Sequence, residues 1–358
     1  MALRASKPAF NVREKLTELG RRFGLKGSEL VAAETVQEAR DIVSAGRKNL
    51  IINGNPIVYQ RAQTASNIAS YQYHTADRWR FSQNGVNASN NRVTDMSVVT
   101  NADIAGDFIG NYVRFDTTTA ATSPASNASV GYNYRMEPQD IVPYLGKEMT
   151  ISFYARSNAG IAINSGFISG TTASSIYFSN QDDSSTWVTL TSDWKRYTFT
   201  FTLGTTVPST HVDIGIRHQP GIVGNVDMTG VQLEVGRNAT EFEHRSYGQE
   251  LALCLRYYWR VPNARWLNGY KRHDNQCFFQ LDTPVPMRAS PTPTIHSVGI
   301  FTNHQSQLNG AVLTSNCTVF EYRPDSGRGT LRVDSTYTGT HTIIPSWEAG
   351  TIDFNAEL

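Results

Sequence analysis

The chain has 358 residues and a formal net charge of +1, from 32 Lys and Arg against 31 Asp and Glu. Balanced charge gives no electrostatic pull toward nucleic acid or an anionic membrane, and no apolar run approaches the ~20 residues that span a bilayer, so neither nucleic-acid binding nor membrane insertion is expected. The length exceeds the roughly 100–200 residues of one domain, and charged residues make up 18%, below the roughly 25% of ordinary domains, which is the profile of a β-rich, loop-rich chain.

No apolar stretch follows Met1 to Pro8, so a secretory leader is not expected. Residues 1–47 carry helical signals instead. Asn11 offers an N-cap acceptor with Glu14 three residues on, Val12, Leu16 and Leu19 form an apolar stripe, and Gly20 can close the helix in a left-handed conformation. Thr35 and Glu38 repeat the capping box, and Val36, Ala39, Ile42 and Val43 continue toward Gly46 at helical spacing. Isolated helices under about 12–15 residues are marginal in water. These two therefore need a surface to dock on, either the chain's own β region or a larger assembly, and Val12, Leu16, Leu19, Val36 and Ile42 are the candidate docking residues.

From Asn49 the period changes to two. Residues 111–115 and 129–135 read as strands; Met149, Ile151, Phe153 and Ala155 alternate with Thr150, Ser152, Tyr154 and Arg156. Tyr197, Phe199, Phe201 and Leu203 alternate with threonines. Val212, Ile214 and Ile216 face opposite His211, Asp213 and Arg217, and Val231, Leu233 and Val235 face opposite Gln232 and Glu234. Such strands, joined by Ser/Thr/Asn/Gly loops without helical patterns, predict an antiparallel jelly-roll sandwich over residues 48–247.

A second β-rich domain is expected over residues 248–358. Residues 250–259 read equally as a short helix or as the start of a strand. Residues 277–282 suit a strand, and Pro284, Pro286, Pro291 and Pro293 confine the next segment to a sheet edge or a connector. Pro324-Asp325-Ser326-Gly327 turns the chain between strands at 318–322 and 329–334, and residues 351–358 alternate to the last position. The fold class is thus mainly β: a jelly-roll sandwich followed by a second β-rich domain and preceded by a short helical segment.

Catalytic chemistry has little to start from. No Gly-x-Ser-x-Gly, HExxH, P-loop or Gly-x-Gly-x-x-Gly motif occurs. His211 and Asp213 share a strand face as a base and its orienter would, and Glu137, Asp140, Asp182 and Asp183 are carboxylates of the kind glycoside hydrolases pair. Solvated surface groups account for both sets more simply, so no enzyme activity and no catalytic residue is expected. Cys254, Cys277 and Cys317 lack disulfide or metal spacing and read as reduced, partly buried residues.

Five segments form an ordered series: Asn-Leu-Ile-Ile-Asn-Gly-Asn at 49–55, Ala-Asp-Arg-Trp at 76–79, residues 145–157, residues 193–201, and Gly-Val-Gln-Leu-Glu-Val-Gly at 230–236. Over residues 49–245 this series resembles the jelly-roll carbohydrate-binding modules that open on an Asn-Leu-Leu-x-Asn-Gly strand and close on a Val-x-Leu strand. Members of that family often place acids just after the Asn-Gly and in the last strand, around a structural Ca²⁺. Here Asn55-Pro56 stands at the first place and Asp227 is a weak candidate at the second, so no cofactor is expected. Trp79 and Trp194 match family positions that look like core. A wider resemblance, carried by residues 46–54, 229–236, 242–254 and the closing 353–358, is to tail-fibre and other virion structural proteins of marine and cyanobacterial phages. It implies a virion protein made in the host cytoplasm, a homo-oligomer, commonly a trimer, that docks on other virion structural proteins through its N-terminus.

The module resemblance turns attention to aromatic residues, because sugar rings stack on aromatic faces while amides and carboxylates pair with hydroxyls. Tyr112 and Tyr154 are expected on outward strand faces, Tyr132 and Tyr134 share one face of theirs, and Trp187 lies in a polar loop beside Asp182 and Asp183. These five are the candidate contacts to a host-surface glycan; sandwich core or a subunit interface is the other reading of each. Two alternatives to a host-recognising appendage stay open: a capsid-decorating fibre with no glycan role, and a free glycan-binding or depolymerase protein.

Overall fold

The computed structural model describes residues 48–68, 72–84, 93–105, 108–120, 129–169, 187–205, 207–208, 210–218, 221–261, 269–273, 276–296, 299–302, 311–312, 317–334, 345–348 and 351–358. The expected helices of residues 1–47, with Val12, Leu16, Leu19, Val36 and Ile42, lie outside the described residues, as do Asp182 and Asp183. The chain divides into two units, 1–50 and 51–358, and every element named below belongs to the second.

Eleven strands build the sandwich: β1 (Thr64–Ala65), β2 (Trp79–Asn84), β3 (Val93–Ala105), β4 (Phe108–Thr119), β5 (Ser129–Met136), β6 (Glu148–Ser157), β7 (Ala162–Ser169), β8 (Val188–Thr189), β9 (Lys195–Thr202), β10 (Val212–His218) and β11 (Gly224–Val235). A short helix, α1 (Pro138–Ile141), joins β5 to β6. One sheet has the order β1-β3-β4-β11-β6-β9 and the other β2-β5-β10-β7-β8. From β4 onward the pairs nest: β4 with β11, β5 with β10, β6 with β9, and β7 with β8, all antiparallel. First strand beside last and second beside next-to-last is the connectivity of a jelly roll.

Alternation in the sequence decides what lies between the sheets. Met149, Ile151, Phe153 and Ala155 are buried on the inner face of β6, opposite Phe201, Phe199, Tyr197 and Lys195 of β9. Across the sandwich the Phe115 ring meets Phe81 at 6.0 Å and Tyr132 at 5.1 Å, and Trp79 stacks on Tyr132 at 4.4 Å. The motif at residues 49–55 does not form a strand. Instead Asn53 turns the chain at φ 58°. Its side chain accepts from the Val58 N–H (3.1 Å) and donates to the carbonyls of Val58 (2.8 Å) and Asp77 (3.0 Å), while its own carbonyl takes the indole N–H of Trp79 (2.9 Å). Asn tolerates this left-handed conformation better than most residues because its short polar side chain bonds locally.

Beyond the sandwich, α2 (Tyr247–Leu255) opens on a capping box in which Ser246 and Gln249 exchange side-chain-to-backbone hydrogen bonds. The segment that read equally as helix or strand is both, since α2 is followed at once by β12 (Tyr258–Val261). Then come β13 (Gly269–His273), β14 (Gln276–Asp282), β15 (Thr292–Ile295), β16 (Gly299–Thr302), β17 (Ala311–Val312), β18 (Cys317–Arg323), β19 (Arg328–Asp334), β20 (Pro345–Glu348) and β21 (Ile352–Asn355). They form sheets β12-β21-β15, β13-β14-β19-β18 and β17-β16-β20. The proline-rich stretch supplies β15, an edge strand as expected. Phe279, Leu281, Met287, Leu331, Ile352 and Phe354 are the core of this region. The final strand stops at Asn355, earlier than the alternation of residues 351–358 implies, because the last residues enter a charged seam against the sandwich.

That seam centres on Arg78, whose side chain is fully buried. Its guanidinium lies 3.4 Å from the Tyr257 ring centre and 5.1 Å from that of Tyr134, pairs with Glu357, and donates to the Arg135 carbonyl. Arg61 bridges Asp77 (3.3 Å) and Glu357 (3.4 Å) while covering the Tyr258 ring at 3.6 Å. Burial pushes the Asp77 carboxyl up to about 6, against the pull of Arg61. Glu137 accepts from Arg256 (3.0 Å) and from the Tyr257 hydroxyl (2.7 Å). Removing one partner of a buried ion pair costs about 3–5 kcal/mol, because the other charge stays desolvated and unmet. Glu357→Gln is therefore expected to destabilise the chain by roughly that amount in urea unfolding; an unchanged midpoint would mean that the Arg78 charge is met without Glu357.

Candidate functional site

The outer face of the six-stranded sheet carries the most chemically distinctive set of side chains. Strand side chains alternate, so residues in register form rows across that face. One row runs Ser97 (β3), Arg114 (β4), Asp227 (β11) and Arg156 (β6). The next holds Val99 and Tyr112 on one side, and Thr229, Tyr154 and Arg196 on the other.

Asp227, 1% exposed, sits between two cations. It accepts from Arg114 Nε (2.7 Å) and Nη2 (2.9 Å) and from Arg156 Nε (2.9 Å). Both guanidinium side chains remain 33% exposed. Hydrogen bonding to Asp227 pushes the Arg114 pKa further up. The Arg156 guanidinium lies 4.7 Å from the Trp194 ring centre and 5.7 Å from that of Tyr112, and the two rings meet edge to face at 5.2 Å. Val99, Ala102, Tyr154, Trp194 and Phe242, all partly buried, pack around Tyr112 and Ile104.

The strap after β11 covers the other half of this face. Glu234 accepts from the Thr240 N–H (2.8 Å) and hydroxyl (2.6 Å), and Gln232 Oε1 accepts from the Glu243 N–H (2.9 Å). Arg196 ties the edge of the strap down, donating to Ser152 Oγ (2.9 Å) and to the Thr240 carbonyl. What stays half-exposed is a rigid patch of arginine and aromatic groups, able to offer N–H donors beside flat apolar surface. That is the pairing a polar ring with apolar C–H edges requires.

No protein-family model matches the sequence, and no curated protein matches it. Among solved structures, the enzymatically active domain of tailspike protein 4 of bacteriophage CBA120 is similar at 14% identity and a TM-score of 0.32, over 48% of this chain and 21% of that one. A putative sugar binding protein from Bacteroides thetaiotaomicron is similar at 13% identity and a TM-score of 0.34, over 53% of this chain and 100% of that one. The CBM22-1 xylan-binding domain of Paenibacillus barcinonensis Xyn10C is similar at 11% identity and a TM-score of 0.30, over 55% of this chain and 100% of that one. Likeness at this level carries neither a ligand nor an activity to this chain.

The candidate aromatics separate. Tyr112 and Tyr154 come together on the arginine-bearing face, although Tyr112 is only 5% exposed. Tyr132 and Tyr134 do share a face, but it is the inner one, so they are core rather than contact residues. Tyr132 stacks on Trp79, and the Tyr134 hydroxyl accepts from the Ile52 N–H (3.2 Å). A period of two says which residues share a face, not which face meets water. Trp187 is half-buried just ahead of β8, on the edge of the other sheet. Trp194, expected in the core, belongs to the outer patch. The signal was present in β9: Trp194 has the same parity as Arg196, Thr198 and Thr200, whose side chains turn away from the core.

Asp227 is corrected as a calcium candidate, since its oxygens are engaged by two guanidinium groups. Asn55, at the other family position, is likewise committed, accepting from the Asn111 N–H (2.9 Å). Among the described residues no cluster of three or more His, Cys, Asp or Glu is placed to hold a metal ion. His211 and Asp213 are buried rather than solvated. Asp213 pairs with Arg80 (3.0 Å) and Arg135 (2.8 Å), with the His211 ring nitrogen at 3.7 Å. Burial opposes the Asp213 charge, but His211 and the two arginines outweigh it and hold the carboxyl below its usual range. Glu137, expected in solvent, is bound in the seam, whereas Asp140 is exposed. Asp227→Asn is expected to cost about 1–3 kcal/mol, the range for losing a buried charged hydrogen-bond acceptor, and millimolar Ca²⁺ is expected to leave the melting temperature unchanged. A calcium-dependent rise would overturn the assignment of Asp227 to the two arginines.

Proposed function

We propose that this chain is a non-enzymatic glycan-binding protein of a phage particle, with the patch formed by Tyr154, Trp194, Arg114 and Arg156 as its sugar contact. The observation that carries the reading is the half-exposed pairing of guanidinium and aromatic groups on a sheet face that the strap covers only in part. Aromatic planes accept the C–H edges of a sugar ring, and arginine N–H groups donate to its oxygens. Mounting Arg114, Tyr154 and Arg156 on paired strands fixes these groups before a ligand arrives, which lowers the ordering cost of binding. A binding role rather than catalysis is supported by the state of the acids: Asp213, Asp227 and Glu137 each already hold arginine partners. The phage particle is supported by the wider sequence resemblance, which also motivates a homotrimer docked through residues 1–47.

Trp194→Ala is expected to weaken glycan binding at least about tenfold, equivalent to ~1.4 kcal/mol, while Val207→Ala, at an exposed position away from the patch, leaves it unchanged. A glycan array followed by titration calorimetry measures this, and binding insensitive to Trp194 would remove the patch as the contact. A chain lacking residues 1–47 is expected to keep its glycan affinity and lose incorporation into particles. Undiminished incorporation would end the docking role.

A further inference from the structure

The unused edges of the two arginines point to a class of sugar. Asp227 engages Arg114 through Nε and Nη2 but Arg156 through Nε alone. Among the described residues, Arg114 Nη1 and both Nη1 and Nη2 of Arg156 have no hydrogen-bond partner, and Arg156 keeps its end-on pair of N–H donors free beside Trp194. Two cations share one carboxylate, which leaves a positive charge unmatched in this row.

The other charges nearby do not cancel it at contact range. Asp95 and Asp116 lie one row away, about 7 Å along the strands, and Asp95 Oδ1 is taken by the Asn67 N–H (2.8 Å). Both sit on the β3–β4 side, whereas Arg156 is on β6, separated from β4 by β11. Interactions at that range between exposed groups are weakened by water and salt. Asp193 and Lys195, on either side of Trp194 in the sequence, carry opposite charges. Arg196 is committed to Ser152 and the strap.

We propose that this patch selects an acidic sugar: a uronic acid or another carboxylated residue whose ring rests on the aromatic row and whose carboxylate is received end-on by Arg156. The inference rests on the glycan-binding reading above and narrows it. A hydroxyl oxygen gives a guanidinium one neutral partner, whereas a carboxylate takes two parallel charge-assisted bonds, each roughly twice as strong.

The test uses the full chain on an array of carboxylated glycans, each paired with its carboxyl-reduced neutral counterpart, followed by calorimetry on the bound pairs. Carboxylated members are expected to bind at least tenfold tighter than their reduced partners. Arg156→Gln, which leaves Asp227 its two bonds from Arg114, is expected to abolish that preference, and Arg156→Lys to retain part of it. Trp194→Ala is expected to weaken both members of a pair alike. Melting curves establish that each variant is folded, and Arg156→Lys carries the test if Arg156→Gln is not. Equal binding of acidic and reduced partners, or a preference untouched at Arg156, overturns the acidic-sugar inference and leaves glycan binding standing. Binding to neither set overturns both.

Discussion

A buried arginine holds the described molecule together. Arg78 sits where the sandwich, α2 and the closing residues converge, and its charge has no water to turn to. Several groups around it meet that charge: Tyr257 and Tyr134 present ring faces, Glu357 supplies the counter-ion, and the Arg135 carbonyl takes a further N–H, while Nε has no hydrogen-bond partner among the described residues. Burial disfavours the cation, and Glu357 together with Tyr134, Tyr257 and Tyr73 more than restores it. Because desolvated charges are costly unless fully paired, this arrangement tolerates little relative movement. The sandwich and the C-terminal sheets are consequently joined by an electrostatic fit as well as by apolar contact.

Much of the sandwich was legible because long stretches of its strands keep a period of two. The patterns single out β4, β5, β6, β9, β10 and β11, and the nested pairing follows the jelly roll that they predict. β3 escaped because register shifts at Val93/Thr94, Val99/Ala102 and Asp103/Ala105 break its alternation. The Ser246-x-x-Gln249 box ahead of α2 was a readable helix start, and it would have settled the ambiguity over residues 250–259. The seam was beyond local reading altogether: Arg78 and Glu357 lie 279 positions apart, and nothing in either neighbourhood marks them as partners.

The candidate site was half legible for related reasons. Tyr112 and Tyr154 follow from strand parity, and the same parity applied to β9 would have included Trp194. Tyr132 and Tyr134 misled because alternation does not say which side of a sheet is wet; that is decided by Trp79, Phe115 and Ile214 on other strands. Asp227 looked like a lone acid in the last strand, available to a metal. Its meaning came from Arg114 and Arg156, which reach it only through the register of three strands.

That register also determines when the patch exists at all. Arg114 comes from the first strand of the roll, Arg156 from the third and Asp227 from the last, so the triad assembles only when β11 inserts between β4 and β6. Such distant pairings come at the end of a slow search, since loop closure must precede them. A ligand held there would bind the closed roll and nothing less ordered, adding its binding energy to the native state alone. Occupancy of the patch would thus serve as a signature of completed folding.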